Sequence, residues 1–124
     1  MVQYPWIRER LFRIIEDLAN PDYPRQAWVN HKFPPGVVYD CFDYTVNLFF
    51  DDTALADAPE KTVGWILESE DEIPIISRMV KAIDDLLNKY GTELTDEEYI
   101  NKPEWADIVG AASAALHSLK KDLV

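Results

Sequence analysis

The stretch VVYDCFDYTVNLFFDDT, residues 37–53, leaves two fold classes open for this chain. The apolar side chains at positions 42, 44, 46, 48 and 50 alternate with polar ones at positions 43, 45 and 47, which is the two-residue period of a half-buried strand. Aromatic and β-branched residues also suit a strand. The same residues fit a helix, because Phe42, Val46, Phe49 and Thr53 share one helical stripe. The pattern alone favours the strand slightly.

The segment before this stretch is predicted to be helical. Apolar residues at steps of three and four indicate one helix over about residues 4–19, which Asn20-Pro21 ends. A short second helix is expected over about residues 21–30, before a loop at the Pro-Pro-Gly of residues 34–36. The side chains predicted to face inward from these two helices are Ile7, Leu11, Ile14, Leu18, Tyr23, Ala27 and Trp28.

The segment after this stretch begins with TVGWIL, residues 62–67, which fits a strand or a helix. A longer helix is expected from near residue 70. Either Ser69 and Glu72 form a reciprocal capping box, or Asp71 is the cap and Pro74 takes the third helical position, where its missing N–H costs nothing. Gly91 supplies its end. Its predicted inward side chains are Ile73, Ile76, Val80, Ile83 and Leu87.

The remainder of the chain is also predicted to be helical. Thr95 and Glu98 repeat the capping-box spacing before a short helix, and a last helix is expected from Pro103. The glycine and alanines of residues 110–115 offer a smooth surface that another helix can approach closely. The predicted inward side chains of the last helix are Trp105, Ile108, Ala112, Leu116 and Leu119.

Length and composition predict one domain over residues 1–124. Apolar residues make up 48% of the chain, which is enough to build one core. Cys41 is the single cysteine, so an internal disulfide is excluded. The amino terminus does not have the features of a secretory signal, and no apolar run is long enough to span a membrane. We therefore expect a cytoplasmic monomer.

The net charge of -11 is concentrated in the middle of the chain, since residues 40–107 carry eighteen acidic side chains against five basic ones. Such a charge repels nucleic acid and anionic membrane surfaces, and it accelerates encounters with basic proteins. We therefore expect a protein partner, with no nucleic acid and no membrane. The simpler alternative is that the acidity only maintains solubility.

Few side chains indicate chemistry. Asp51, Asp52 and Asp57 could bind Mg²⁺ or Ca²⁺ through oxygen ligands, but the spacing of a calcium-binding loop is missing. Neither His31 nor His117 belongs to a pair with metal-ligand spacing. The sequence contains no phosphate-binding glycine loop and no nucleophile turn. We therefore expect no enzymatic activity, no catalytic residue, no metal ligand and no cofactor, and a carboxylate-dependent metal hydrolase remains the alternative.

The four tryptophans divide into two kinds. Trp6, Trp28 and Trp105 occupy predicted inward faces and are expected in the core. Trp65 lies between acidic residues in EKTVGWILESEDE, residues 60–72, where a core position and an interface position are equally consistent with the sequence. An aromatic residue inside an anionic rim is typical of an interface hot spot.

Four segments in this order resemble a family of small bacterial proteins that includes immunity proteins of contact-dependent growth inhibition systems and related actinobacterial proteins. They are LANPDYPRQAW (18–28), LFFDDTAL (48–55), VGWIL (63–67) with Glu72 following, and YINKPEWADIVGAASAAL (99–116). The resemblance implies that residues 40–53 are helical. It also implies that Pro21, Trp28, Phe49, Gly64, Leu67, Pro103 and Trp105 are framework residues.

With this resemblance we expect a mainly α fold, a single-domain bundle of about five to six helices. An α+β fold with a small sheet from residues 37–50 and 62–67 is the alternative. The resemblance also implies a function, which is to bind and neutralise the carboxy-terminal toxin domain, often a nuclease, of a cell-surface effector. An acidic interaction domain with another role is the second alternative. The predicted partner-binding residues, with Tyr44 as a further apolar anchor, are Asp51, Asp52, Asp57, Glu60, Trp65, Glu68, Glu70, Asp71 and Glu72.

Overall fold

The computed structural model describes residues 2–121, with side chains for residues 2–119. This part of the chain is mainly helical and contains no strand, so the predicted helical bundle is confirmed and the sheet alternative is wrong. The five α-helices are α1 (Pro5–Ala19), α2 (Phe42–Asn47), α3 (Ile73–Tyr90), α4 (Asp96–Ile100) and α5 (Trp105–Lys121). Two turns, Pro24–Val29 and Leu48–Asp52, have the wider π-helical geometry. Two others, Pro59–Thr62 and Glu70–Glu72, have the tighter 3-10 geometry.

Helix α5 is the centre of the bundle, because it packs against both α1 and α3. The side of α5 that faces its neighbours carries the small side chains Ala111, Ala112 and Ala115, all of which are buried. Small side chains let two helices approach closely, as the alanine-rich run predicted. The bundle therefore consists of three long helices, with the shorter elements placed around them.

The buried side chains form one apolar cluster. On α3 the predicted inward residues Ile76 and Ile83 are fully buried, but Met79 and Leu86 occupy the centre of the face. The other predicted residues of α3 are half-buried at its edge and pack against the cluster; they are Ile73, Val80 and Leu87. The helical period was therefore predicted correctly, while the centre of the buried stripe lies one position away.

Residues 42–52 are helical because of their tertiary contacts. The Phe42 ring lies against three aromatic rings from other segments, with centroid distances of 5.7 Å to Trp28, 5.2 Å to Tyr99 and 5.3 Å to Trp105. Strand alternation would place Tyr44 on the same buried face as Phe42, yet 44% of Tyr44 is exposed. The buried residues of this segment instead have helical spacing; they are Phe42, Thr45, Leu48 and Phe49.

Residues 62–67 form a compact turn in which one isolated bridge joins Val63 and Leu67. Gly64 has a φ of 87°, a left-handed conformation that glycine adopts readily. The turn directs Ile66 and Leu67 into the core. It also leaves Trp65 on the surface, with 52% of the residue exposed.

Two of the predicted helix signals are confirmed and one is wrong. Thr95 and Glu98 form the reciprocal capping box, and the Gly91 N–H donates to the Leu87 carbonyl at 2.7 Å. The predicted box between Ser69 and Glu72 is absent, because the Ser69 side chain makes no capping bond. The Glu72 carboxylate points instead towards α1.

Arg8 and Glu72 form a buried, bidentate ion pair. The two guanidinium nitrogens of Arg8 donate to the two carboxylate oxygens of Glu72, each at 2.8 Å, and both residues are almost fully buried. Arg8 also donates to the Ile66 carbonyl at 2.9 Å, and the Glu68 N–H donates to Glu72 at 2.8 Å. The pair therefore joins α1, the turn at residues 62–67 and the start of α3.

The pKa of Glu72 follows from these contacts. Burial by itself raises the pKa of the carboxyl group, but hydrogen bonds from Arg8 and the Glu68 N–H, together with the guanidinium charge, lower it below its ordinary value. Glu72 therefore remains ionised near neutral pH, as its pairing requires.

We predict that Glu72→Gln lowers the free energy of unfolding by about 3 kcal/mol, because it leaves the Arg8 charge buried without a carboxylate. The matched control is Asp85→Asn, which breaks the exposed Lys81–Asp85 pair on α3 and should cost less than about 0.5 kcal/mol. Urea unfolding at neutral pH measures both variants. Equal losses in the two variants would contradict the assignment of a structural role to the buried pair.

Candidate functional site

The predicted acidic residues are exposed, with one exception. Glu72 is only 1% exposed and its carboxylate is engaged by Arg8 and Glu68, so its prediction as a partner-binding residue is wrong. The sequence could not distinguish it from its neighbours, because its cation is 64 positions away. The exposed members of the predicted set are Asp51, Asp52, Asp57, Glu60, Glu68, Glu70 and Asp71.

These exposed acids come from the segments that surround the turn carrying Trp65. Asp51 and Asp52 lie in the helical turn Leu48–Asp52, and Glu60 lies in the turn Pro59–Thr62. The remaining carboxylates precede α3. The Asp52 carboxylate also approaches α1, where its Oδ2 lies 4.0 Å from Nη1 of Arg10.

Trp65 belongs to a surface cluster of three aromatic rings. Its ring meets that of Tyr4 edge-on at a centroid distance of 6.3 Å, and Tyr4 meets Trp6 edge-on at 5.4 Å. Edge-to-face packing of this kind is favourable for aromatic pairs. We call Tyr4, Trp6 and Trp65 the amino-terminal aromatic patch.

The predicted core position of Trp6 is wrong, because 63% of Trp6 is exposed. Helix α1 buries Arg8, Leu11 and Ile15, and this face turns Trp6 towards solvent at the first turn of the helix. Trp28 and Trp105 are buried as predicted. The sequence pattern grouped Trp6 with the apolar residues of α1. It could not indicate that the charged Arg8 is buried in the first turn of this helix.

Backbone hydrogen bonds hold the patch in place. The Gln3 N–H donates to the Gly64 carbonyl and the Tyr4 N–H donates to the Trp65 carbonyl, each at 2.9 Å. The bond from Arg8 to the Ile66 carbonyl fixes the same turn to α1. These bonds fix the backbone that carries the exposed rings before any partner arrives.

The patch is bordered by charges of both signs. Trp6 lines a shallow hollow of about 190 Å³ together with Glu9, Arg10 and Arg13 on the same face of α1. Exposed carboxylates precede and follow the turn that carries Trp65 in the sequence. The arrangement provides an apolar centre with a polar rim, which is the usual anatomy of a protein-binding surface.

Within residues 2–121 no group of three or more His, Cys, Asp or Glu side chains is positioned to hold a metal ion. Asp51 and Asp52 therefore lack the converging carboxylate that a metal hydrolase would require. Cys41 is half-buried, and burial raises the pKa of its thiol, with the charges of Asp96 and Asp43 raising it further.

A groove lies between α3 and α5. It has a volume of about 350 Å³ next to Arg78 and Gly110, and it continues into a hollow of about 210 Å³. Its charged side chains form exposed pairs such as Lys81 with Asp85. Glu104, which also lines the groove, accepts from Lys89 and from the Tyr90 hydroxyl.

A half-buried carboxyl cluster, which the sequence did not indicate, lies beside the segment that precedes α2. The Tyr23 hydroxyl and the Trp28 Nε1–H both donate to the Asp40 carboxylate, at 2.8 Å and 3.0 Å. Burial, and after it the negative charge of Asp40, raises the pKa of the Asp17 carboxyl from 3.8 to about 7. Asp17 and Asp40 are far apart in sequence, so no local pattern could reveal this pair.

A shifted carboxyl pKa is a common property of catalytic acids, but the burial of Asp17 beside Asp40 is sufficient to produce it. Asp17 lines none of the three hollows described above. The cluster instead anchors the residues before α2 to the turn Pro24–Val29 through Asp40.

We predict that Asp17 makes stability fall as pH rises. Its pKa is higher in the folded state, so the unfolded chain releases a proton that the folded chain retains between about pH 4 and pH 7. Asp17→Asn removes this penalty and should increase the free energy of unfolding by about 1 kcal/mol or more at about pH 8, with little change near pH 4.

The exposed Asp22→Asn variant is the control, since it makes the same charge change outside the cluster and should change the free energy of unfolding by less than about 0.5 kcal/mol. Urea titrations at the two pH values measure the difference. A gain from Asp17→Asn that is the same at both pH values would refute the titration of Asp17.

None of the helices in the described part of the chain is long and apolar enough to cross a membrane. No curated protein and no solved structure matches this sequence. A family model described as a domain of unknown function, DUF7945, matches residues 2–123. The match covers nearly the whole chain, and the protein therefore belongs to the DUF7945 family.

Proposed function

We propose that this protein is an immunity protein that binds a basic toxin domain through the amino-terminal aromatic patch and the acids around it. The observation that carries the proposal is the exposure of Trp65 among carboxylates, with its ring connected through Tyr4 to the equally exposed Trp6. The toxin would be the carboxy-terminal domain, most simply a nuclease, of a contact-dependent growth inhibition effector or a related polymorphic toxin.

The aromatic patch supplies the affinity in this proposal. Two tryptophans with more than half of their surface in water have a large apolar area to bury, and the burial of such an area is the main favourable term in association. Tryptophan is also enriched among the residues that dominate interface energetics. Since hydrogen bonds already order the patch, little conformational entropy is lost when the partner binds.

The carboxylates supply the rate of encounter. Seven exposed acids of the predicted set flank the turn with Trp65 in the sequence, and the whole chain has a net charge of -11. A nuclease domain has a basic surface for its anionic substrate, and an acidic inhibitor is attracted to that surface over long distances. Arg10 next to Asp52 adds one cation at the rim, which can select for a partner with a matching carboxylate.

The biological setting comes from the sequence resemblance, which supports an inhibitor that acts in the cytoplasm of the producing cell. Neutralisation by binding requires no catalytic residue, and an interface formed by exposed side chains fits that requirement. An interaction domain with another role would use the same surface. The two functions differ in one result, because only an immunity protein restores growth to cells that express its toxin.

Genomic context provides the partner for this experiment. The reading frame directly upstream should encode a large secreted effector or an orphan fragment of its carboxy-terminal domain. Expression of that domain alone should stop growth, and co-expression of this protein should restore it. Growth arrest that persists despite abundant, folded protein would exclude the immunity function for this pair.

We predict that neutralising six of the surrounding acids slows association with the toxin domain and flattens its salt dependence, because steering depends on local charge. The changes, to Asn or Gln, are at Asp51, Asp57, Glu60, Glu68, Glu70 and Asp71. The control makes the same charge change at exposed acids elsewhere, namely Asp22, Asp84, Asp85, Glu93, Glu97 and Asp107. Surface plasmon resonance at several salt concentrations measures both variants, and equal slopes would assign the effect to net charge alone.

We predict a different kinetic signature for the aromatic patch. Trp65→Ala should weaken the complex by about thirtyfold, mainly through faster dissociation, as expected for a central hot spot. Trp6→Ala should have a similar effect, since the two rings belong to one patch. The exposed Val38→Ala is the control, because Val38 lies outside the patch. Unchanged dissociation rates for both tryptophan variants would place the interface elsewhere.

A further inference from the structure

A second cluster of aromatic rings lies on the segment that leads into α2. Tyr39 is its centre, with ring-centroid distances of 6.1 Å to His31, 5.8 Å to Phe33 and 5.9 Å to Tyr44. We call these four residues the loop aromatic cluster. Tyr44, predicted as an anchor together with Trp65, therefore belongs to a different group of rings.

The cluster is largely exposed to solvent. The exposed fractions are 50% for Tyr39 and 44% for Tyr44, and the neighbouring Val38 is 92% exposed. Among the described residues, the large apolar side chains that are exposed are confined to this region and to the amino-terminal aromatic patch. An exposed apolar surface of this kind costs free energy in water, so its concentration on one segment points to a binding role.

The backbone beneath the cluster is held on both sides. Asp40, which follows Tyr39, accepts hydrogen bonds from the Tyr23 hydroxyl and the Trp28 indole. The Phe42 N–H donates to the Asp96 carboxylate at 3.3 Å, and Phe42 itself is buried in the aromatic core. The exposed rings are therefore positioned by buried neighbours and do not depend on a partner for their order.

Carboxylates border the rings. Asp43 is exposed next to Tyr44, and Asp96 is half-buried beside the start of α2. The charge of the ionised Cys41 thiolate, then burial, and after them the charges of Asp96 and Asp43 raise the pKa of the Tyr39 hydroxyl. Since burial raises the pKa of the Cys41 thiol, the two carboxylates are the source of negative potential at the rings near neutral pH. A ring face is itself the negative end of a quadrupole, so the cluster and its acids attract a cation together.

We propose that the loop aromatic cluster binds an arginine side chain presented by a partner protein. A guanidinium group is planar and weakly hydrated, so it stacks on a ring face more favourably than an ammonium group does. The charge of the exposed Asp43 acts on Tyr39, so this carboxylate attracts the same group. The site is separate from the surface around Trp65 and does not rest on the function proposed for that surface.

The test is a titration of the intact protein with a blocked Gly-Ser-Arg-Ser-Gly peptide, followed by aromatic carbon–proton NMR. The matched probe replaces arginine with citrulline, which has nearly the same shape but no charge. We expect the arginine peptide to shift the ring signals of Tyr39 and Tyr44, and the citrulline peptide to bind about fivefold or more weakly.

Three variants identify the interaction. Tyr39→Leu should abolish the arginine preference because it keeps an apolar side chain but removes the ring, and Tyr39→Phe should retain it. Asp43→Asn should weaken arginine binding without changing the ring positions. Trp65→Leu is the control at the other patch and should leave the titration unchanged.

Several outcomes would overturn the site. Equal shifts with arginine and citrulline would show an apolar surface without cation recognition. Arginine binding by Tyr39→Leu at the wild-type strength, or shifts confined to signals outside the cluster, would locate the binding elsewhere. The absence of any shift with millimolar peptide would exclude the site directly.

Discussion

The buried pair of Arg8 and Glu72 is the contact on which the arrangement of the other elements depends. Two buried charges are tolerated only because their hydrogen-bonding groups have partners. Each carboxylate oxygen of Glu72 accepts from a donor, and Arg8 also donates to the Ile66 carbonyl. The pair joins segments that are distant in sequence. Its geometry sets where α1 begins relative to the turn at residues 62–67, and thereby brings Trp6 and Trp65 to one surface.

Aromatic packing organises the other end of the molecule in a similar way. Trp28, Phe42, Tyr99 and Trp105 come from four segments and contact one another in the core. Asp40 adds a polar link, because it accepts the indole hydrogen of Trp28. The helical state of residues 42–52 and the position of the exposed rings on Tyr39 and Tyr44 both follow from this packing.

Each of these buried centres thus supports an exposed aromatic group. The amino-terminal aromatic patch lies above the ion pair, and the loop aromatic cluster lies next to the aromatic core. Acidic side chains border both groups, although the acids of residues 40–107 also include some that are used internally, such as Asp40 and Glu72. The concentration of charge along the chain is therefore a poor guide to its distribution in space, and the exposed rings locate the surfaces better.

The helices at residues 5–19, 73–90 and 105–121 were predictable from the sequence, because amphipathic spacing and helix-ending residues are local properties of the chain. The seven exposed acids were predictable for the same reason, since an acidic side chain without a buried partner remains in water. Three features required the tertiary structure: the burial of Glu72, the exposure of Trp6, and the helical state of residues 42–52. The first two follow from Arg8, which pairs with the distant Glu72 and occupies the first buried turn of α1. The third follows from the rings around Phe42. No pattern within a few residues contains that information.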